Sequence, residues 1–372
     1  MTPYIILFTI LAICAVLSWL ICIRSARLLL LALQCTSMGV MTAGRGLTVG
    51  TDNISYFNIF SWRQLYDSQY CPMEFGYCSL NRVLADHGFS FQIIFVIESI
   101  VLYMAIFIFT KTMIKESMWS LLPLLFFTLQ PFFNALNTSR QYFALGFALI
   151  AFVLAYKKKY IFSIICFIVA FSIHYAVAAV LLLAVLVPML RSSWSSTVIL
   201  GAYLVSFFVR IIGPEKVMGI FTHLISKYSH YASGNQFDAM GSFQYILFTI
   251  LIPNIIFVFC LLFDYFVNNR TRNSLLSDKD ISIFHSREIL LGGSLAYVCL
   301  LNAFVGSMSL ARFADFFIIF LISYFLYVLS SMDDKRLVMF VVLVIIVTSF
   351  ISCYYFIGIR GYQSVVPYIL ME

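Results

Sequence analysis

The chain has 372 residues, 62% of them hydrophobic and only 10% charged, with a formal net charge of +7. A soluble protein carries about 25% charged residues, so lipid is the solvent for most of this surface and a soluble globular fold is excluded. Unbroken apolar runs near 20 residues argue for spanning helices, not for the ~10-residue alternating segments of a β-barrel, and the scattered basic residues form no nucleic-acid footprint.

The first run, MTPYIILFTILAICAVLSWL, has no basic residue ahead of it, while Arg24 and Arg27 follow. That predicts a retained spanning helix with an outer N-terminus, not a cleaved signal. Further spans are expected at about 28–43, 89–110, 118–136, 141–156, 160–173, 175–190, 196–213, 243–266, 288–306, 313–330 and 337–356. With the first, at about 4–23, these make an all-α polytopic membrane protein. It has about twelve transmembrane helices, one domain over residues 1–372, and both termini outside.

The apolar stretch from Tyr160 to Val187 is long for one span and short for two. The positive-inside rule decides between them. Two spans leave 14 of the 23 basic residues inside; one span gives a split of 12 to 11. The two-span reading places His174 at an outer turn. The outer basic set is then Arg45, Arg63, Arg82, Arg140, Arg210, Lys216, Lys227, Arg312 and Arg360. Topology does not call for outer cations, and guanidinium forks match phosphate oxygens bidentately. An anionic, phosphate-bearing ligand at the outer face accounts for them; headgroup anchoring accounts for Arg210 and Arg360.

Two outer loops are long, at about 44–88 and 214–242. The first opens with GRGLTVGTDNISY, which joins Arg45 and Asp52 to Gly44, Gly46 and Gly50, a backbone able to turn tightly against a ligand. It also holds Glu74, and Cys71 and Cys78, which can pair in an oxidising compartment. NTSRQ follows at 137–141, with Thr138 or Ser139 as a cap and Arg140 and Gln141 in the first turn of an inward-running helix, an anion site by construction. His174 is a candidate base. SLARFAD at 309–315 is expected to repeat the capped geometry, with Ser309 as cap, Arg312 in the first turn and Asp315 as its ion-pair partner. Tyr56, Tyr77, Tyr228 and Tyr231 offer faces for sugar rings or for an interfacial belt. No cluster with metal-ligand spacing appears, so no metal and no cofactor are expected. Mid-span charge is confined to Glu98 and Asp264, which disfavours a transporter or flippase.

The order of these elements resembles the EpsG-like family of bacterial polysaccharide polymerases, of the O-antigen (Wzy) type. The resemblance rests on Arg45 with Gly50, Thr51, Asp52 and Tyr56, and on Glu74, Gly76 and Tyr77. It continues with Asn137, Arg140 and Gln141, then His174, then Lys227, Tyr228 and Tyr231, and finally Arg312. It implies a membrane glycosyltransferase in the bacterial inner membrane, acting at the periplasmic face. Such an enzyme joins oligosaccharide repeat units carried on undecaprenyl pyrophosphate, with a chain-length regulator protein as a candidate partner. In that reading Arg45, Arg140, Gln141 and Arg312 hold the pyrophosphate, and Tyr56, Tyr77, Lys227, Tyr228 and Tyr231 hold sugars. His174, Asp52 or Glu74 accepts the acceptor proton, and the sequence does not choose among them. An O-antigen ligase-type transferase has the same needs.

Overall fold

The computed structural model describes residues 1–61, 73–192, 195–213, 216, 243–271, 278–304 and 308–371. Its elements are helical. In chain order they are α1 (Thr2–Leu20), α2 (Arg24–Ala43), α3 (Asn53–Ser61), α4 (Phe75–Asp86) and α5 (Gln92–Met113). Next come α6 (Leu121–Thr128), α7 (Pro131–Asn137), α8 (Ser139–Tyr156), α9 (Tyr160–Ile173), α10 (Leu182–Arg191) and α11 (Ser195–Ile212). The last are α12 (Phe243–Thr271), α13 (Asp278–Phe304), α14 (Met308–Asp315), α15 (Ile318–Ser330) and α16 (Lys335–Cys353). Among the described residues seven helices are long and apolar enough to cross a membrane, and four shorter apolar helices accompany them. Ile161 on α9, Leu29 on α2 and Phe340 on α16 are each more than 60% exposed. Large apolar side chains turned outward in this way require lipid around them.

Two departures from the sequence reading have local causes. The fourth expected span, at about 118–136, is broken. α6 ends at Thr128, Gln130 takes a left-handed conformation (φ 78°), and Pro131 opens α7. Proline disfavours a helical residue before it and is well placed at a helix start, so the chain stops and restarts there. The first long loop also holds two helices, α3 and α4. The chain breaks again at His174, which is extended (φ −154°, ψ 111°) between α9 and a 3-10 stretch, Tyr175–Leu181. Cys78 is disulfide-bonded, while Cys71 lies outside the described residues.

The helices collect into two compact units, residues 1–178 with 335–372, and residues 179–334. In the second unit, interhelical polar pairs join apolar helices. Asn254 and Asn302 exchange amide hydrogen bonds (2.8 and 3.1 Å), and Asp264 accepts from Arg287 and Tyr324 (both 2.7 Å). Such contacts hold helices together where lipid supplies no hydrophobic drive between them.

In the first unit the polar residues gather at one pole, where α1 begins, α2 ends, α5 begins and α7 meets α8. The glycine loop is fixed there by the chain's own backbone. Gly46 N–H donates to Ile369 C=O (2.7 Å), Met371 N–H to Gly44 C=O (3.1 Å) and Gly50 N–H to Ser364 C=O (2.9 Å). The close approach expected toward a ligand is thus made to the C-terminal segment. At the far pole, Arg24 and Arg27 pair with Glu116 (3.5 and 3.8 Å).

Gly50 has φ +103°, and a Cβ there would lie 2.9 Å from Asn137 Cα. Gly50→Ala combines a left-handed strain with a backbone clash. It is expected to destabilise the first unit by about 1–3 kcal/mol, read as a lower unfolding temperature in detergent, whereas Gly88→Ala, which also has positive φ but meets nothing within 4 Å, separates strain from clash by the smaller loss.

Candidate functional site

Three elements converge on one carboxylate. Glu74 precedes the first turn of α4, Arg140 lies in the first turn of α8, and His174 follows the last residue of α9. Gly76 sets the crossing: a Cβ on it would fall 2.2 Å from Ser172 Oγ, so α4 rests directly on the end of α9. Two residues before that contact is Glu74, and two residues after Ser172 is His174. Glu74 Oε1 lies 3.2 Å from His174 Nδ1 and accepts from Tyr175 N–H (3.2 Å), while Glu74 Oε2 pairs with Arg140 NH1. Burial pushes the Glu74 carboxyl up. The hydrogen bond from His174, the charges of Arg140 and His174 and the Tyr175 amide outweigh it and hold the group down at about 2.

The helix N-terminus expected to hold an external anion therefore faces an internal one. Its cap also differs from expectation. Thr138 Oγ1 donates back to Asn134 C=O (2.9 Å), Ser139 lies inside α8, and neither hydroxyl caps it. Asn137 is the latch that joins this turn to the glycine loop. Its Oδ1 accepts from Thr51 Oγ1 and Asp52 N–H (both 3.1 Å), and its Nδ2 donates to Gln363. Asn53 Nδ2 donates to Leu136 C=O (2.9 Å). Asp52 is thereby held half-buried at the start of α3, above the α7–α8 turn.

Arg45 is brought to the same pole but has no exposed surface. Its NH2 lies 3.6 Å from Glu98 Oε2, its NH1 donates to Thr42 C=O, and its guanidinium sits 3.6 Å over the Phe95 ring. Arg45, expected to touch a pyrophosphate, is sealed from solvent here: a guanidinium in an apolar interior needs a counter-ion and a π-face, and the chain supplies both. Tyr56 and Tyr77 are buried too, packed edge to face at 5.7 Å, with Arg140 at 5.8 Å from the Tyr77 ring. The faces expected to meet sugar lie against neighbouring side chains. Gln141 is likewise buried in α8. Arg140 and His174 keep 13% and 16% of their side-chain surface exposed, so both side chains are open at this pole where Arg45, Tyr56, Tyr77 and Gln141 are not.

Arg312 belongs to the second unit. It lies in the last turn of α14, not in the first turn of a span, and Ser309 is the second residue of that helix. The short helix ends before Ile318, where α15 begins, so SLARFAD does not repeat the NTSRQ geometry. Lys227, Tyr228 and Tyr231 lie outside the described residues, as do His223, Trp62, Tyr66 and Tyr70. No group of His, Cys, Asp and Glu arranged to hold a metal occurs among the described residues.

Glu98 is the site residue that sequence reasoning passed over. It was noticed only as scarce mid-span charge, although an acid alone in an apolar helix is a functional candidate by default. Neutralising it leaves Arg45 buried without a counter-ion. Glu98→Gln is expected to destabilise the protein by about 3–5 kcal/mol. The double variant Arg45→Met with Glu98→Leu, which removes both charges at similar volume, recovers most of that loss, as thermal unfolding of the three proteins, wild type included, in one detergent would measure.

The family model described as the EpsG family matches residues 28–370. Comparison with curated proteins and with solved structures returns no match.

Proposed function

The chain belongs to the EpsG family, and on that premise we propose that it joins lipid-linked oligosaccharide units into a surface polysaccharide. In this reading it is a membrane glycosyltransferase of the polysaccharide-polymerase kind. The donor glycan rides on undecaprenyl pyrophosphate, the bilayer is the bacterial inner membrane, and the site opens on the periplasmic side. The disulfide at Cys78, in the loop that carries Glu74, supports an oxidising compartment at this pole. The lysine run Lys157–Lys159 at the other end of α8 supports a cytoplasmic opposite pole.

One observation carries the reading: a carboxylate that orients a histidine through Nδ1 and clamps an arginine through its other oxygen. With Nδ1–H donated to Glu74, Nε2 is the basic nitrogen. His174 takes the proton of the acceptor hydroxyl. That oxygen bonds to the donor's anomeric carbon, and the bond from that carbon to the phosphate oxygen breaks. The leaving group is the lipid diphosphate, and Arg140 meets its growing charge. The two events are coupled through Glu74. As His174 becomes an imidazolium it competes for the carboxylate, and Arg140 is released toward the departing diphosphate. Glu74 itself is a poor base, since it already accepts from three donors and is held near 2. Arg45, Tyr56, Tyr77 and Gln141 position these groups from below. Asp52 fixes the loop over the turn. Roles for Arg312, Lys227, Tyr228 and Tyr231 in holding diphosphate and sugar remain part of the proposal.

Arg140→Ala is expected to lower chain growth by ~10²-fold, the scale of losing one preorganised donor at a charged transition state. Arg140→Lys is expected to fall short of wild type as well, because a point charge replaces a fork. Surface-polysaccharide gels from a deletion strain complemented with each variant measure this, and normal ladders from both remove Arg140 from the reaction. Glu74→Gln is expected to move the acid limb of the pH–rate profile to lower pH. Its carboxylate favours protonated His174, so without it the base stays neutral further into acid. An unmoved limb in a protein that still folds would separate Glu74 from the base.

A further inference from the structure

Beneath the Glu74 cluster the first unit encloses a second set of polar groups, brought together by four elements. Arg45 comes from the turn after α2, and Glu98 from within α5. Tyr77 and Asn81, four residues apart and so on one face, come from α4. Ser139 and Arg140 open α8. Arg45, Tyr77, Asn81, Glu98 and Ser139 are each 3% exposed or less. They share one space: Arg45 interacts electrostatically with Glu98 and Tyr77, Glu98 with Ser139 and Arg140, and Tyr77 with Asn81 and Arg140.

These groups do not satisfy one another. Arg45 NH2 stands 3.6 Å from Glu98 Oε2, too far for a direct hydrogen bond. Arg45 Nε and NH2, both Glu98 carboxylate oxygens, the Tyr77 hydroxyl, Asn81 Oδ1, the Ser139 hydroxyl and Arg140 Nε are all shut away from bulk solvent without a hydrogen-bond partner in the chain. Asn81 Nδ2 donates to Tyr77 C=O (2.8 Å) and Arg140 NH1 is taken by Glu74, so both side chains are anchored with a polar atom to spare. Folded proteins leave few such atoms, and where they gather a bridging molecule completes them. Two guanidinium groups repel a cation, the Glu98 carboxylate repels an anion, and the lining is too polar for a hydrocarbon. A small neutral molecule that both donates and accepts suits every atom in the set.

We propose that this chamber is a water site, in which ordered internal water bridges the Arg45–Glu98 pair and links it to Arg140. A polar contact longer than 3.5 Å is the usual mark of a water between two groups. At about three hydrogen bonds per buried molecule, the set calls for about three waters. They are enclosed with the side chains, since Arg45 has no exposed surface. Arg140 then joins the two ion pairs: NH1 meets Glu74, and Nε meets the water. The inference goes beyond the proposed reaction and holds whatever units the protein joins.

The test is X-ray radiolysis of the whole protein in nanodiscs. A brief pulse turns water into hydroxyl radicals where it stands, so a buried side chain is oxidised when it adjoins bound water, and peptide mass spectrometry reads the oxidation residue by residue. Tyr4 and Tyr324 are the controls. They are as buried as Tyr77, but their hydroxyls donate directly to Val365 C=O and to Asp264 (both 2.7 Å). Tyr77 is expected to oxidise about fivefold faster than either, or more. Radicals made only in the bulk, by photolysis of added peroxide, are expected to give no such excess. In the Arg45→Met, Glu98→Leu double variant, which strips the chamber of its charges, Tyr77 is expected to fall to the rate of the controls. Should that variant not fold, the comparison of the two radical sources on the wild type decides alone. Equal rates at the three tyrosines would mean a dry chamber. An excess that the bulk source reproduces would mean a path open to solvent, and an excess that survives in the folded double variant would mean water held by other groups. Each of these overturns the inference.

Discussion

A single buried carboxylate organises one pole of the first unit. Glu74 accepts from the end of α9, from the residue beyond it and from the first turn of α8. An unpaired carboxylate in such a place is costly by several kcal/mol, so the three elements are held in one arrangement by what each would lose on parting. Gly76 makes this possible by leaving room for Ser172. Asn137 extends the same constraint to the glycine loop and, through Gln363, to the C-terminal segment.

A second ion pair, Arg45 with Glu98, lies beneath the first and has no route to bulk water. The two pairs differ in what they leave accessible. Arg45 is enclosed by Glu98, Phe95 and Thr42, whereas Arg140 and His174 retain an open edge. In the proposed reaction that difference divides work between the arginines: one braces the base of the site and the other meets the ligand. It also makes the site electrically balanced at rest, each guanidinium facing a carboxylate. In the reaction proposed above, a diphosphate binds through a redistribution of charge within the cluster, and proton transfer to His174 supplies the means.

The spanning helices were legible because lipid imposes one rule, apolar side chains along a whole segment, and seven of the described helices obey it over their length. The grouping of Arg45, Glu74, Arg140 and His174 at one pole was also legible, since the loop ends that carry them fall on one side once charge fixes the topology. What the sequence hid was depth. A guanidinium in a loop reads as exposed, and nothing in GRG says that Phe95 and Glu98 lie beneath it. The tyrosines of GTDNISY and EFGY misled in the same way, since Tyr56 and Tyr77 are amphipathic rings equally suited to a sugar and to each other. SLARFAD failed for another reason: its likeness to NTSRQ is local, and the helix it forms ends at Asp315 instead of running on. Glu98 was readable in principle as an acid within the long apolar helix α5, but only its partner in space gives it meaning.

Electron cryo-microscopy of the protein in nanodiscs with a lipid-linked oligosaccharide donor would locate the diphosphate directly. Density for it within hydrogen-bonding distance of Arg140, on the same face as the His174 ring, is the expected result. A diphosphate seated at the Arg24–Arg27 pole, or bound with Arg140 and His174 both turned away from it, would contradict the assignment of this cluster as the reacting centre.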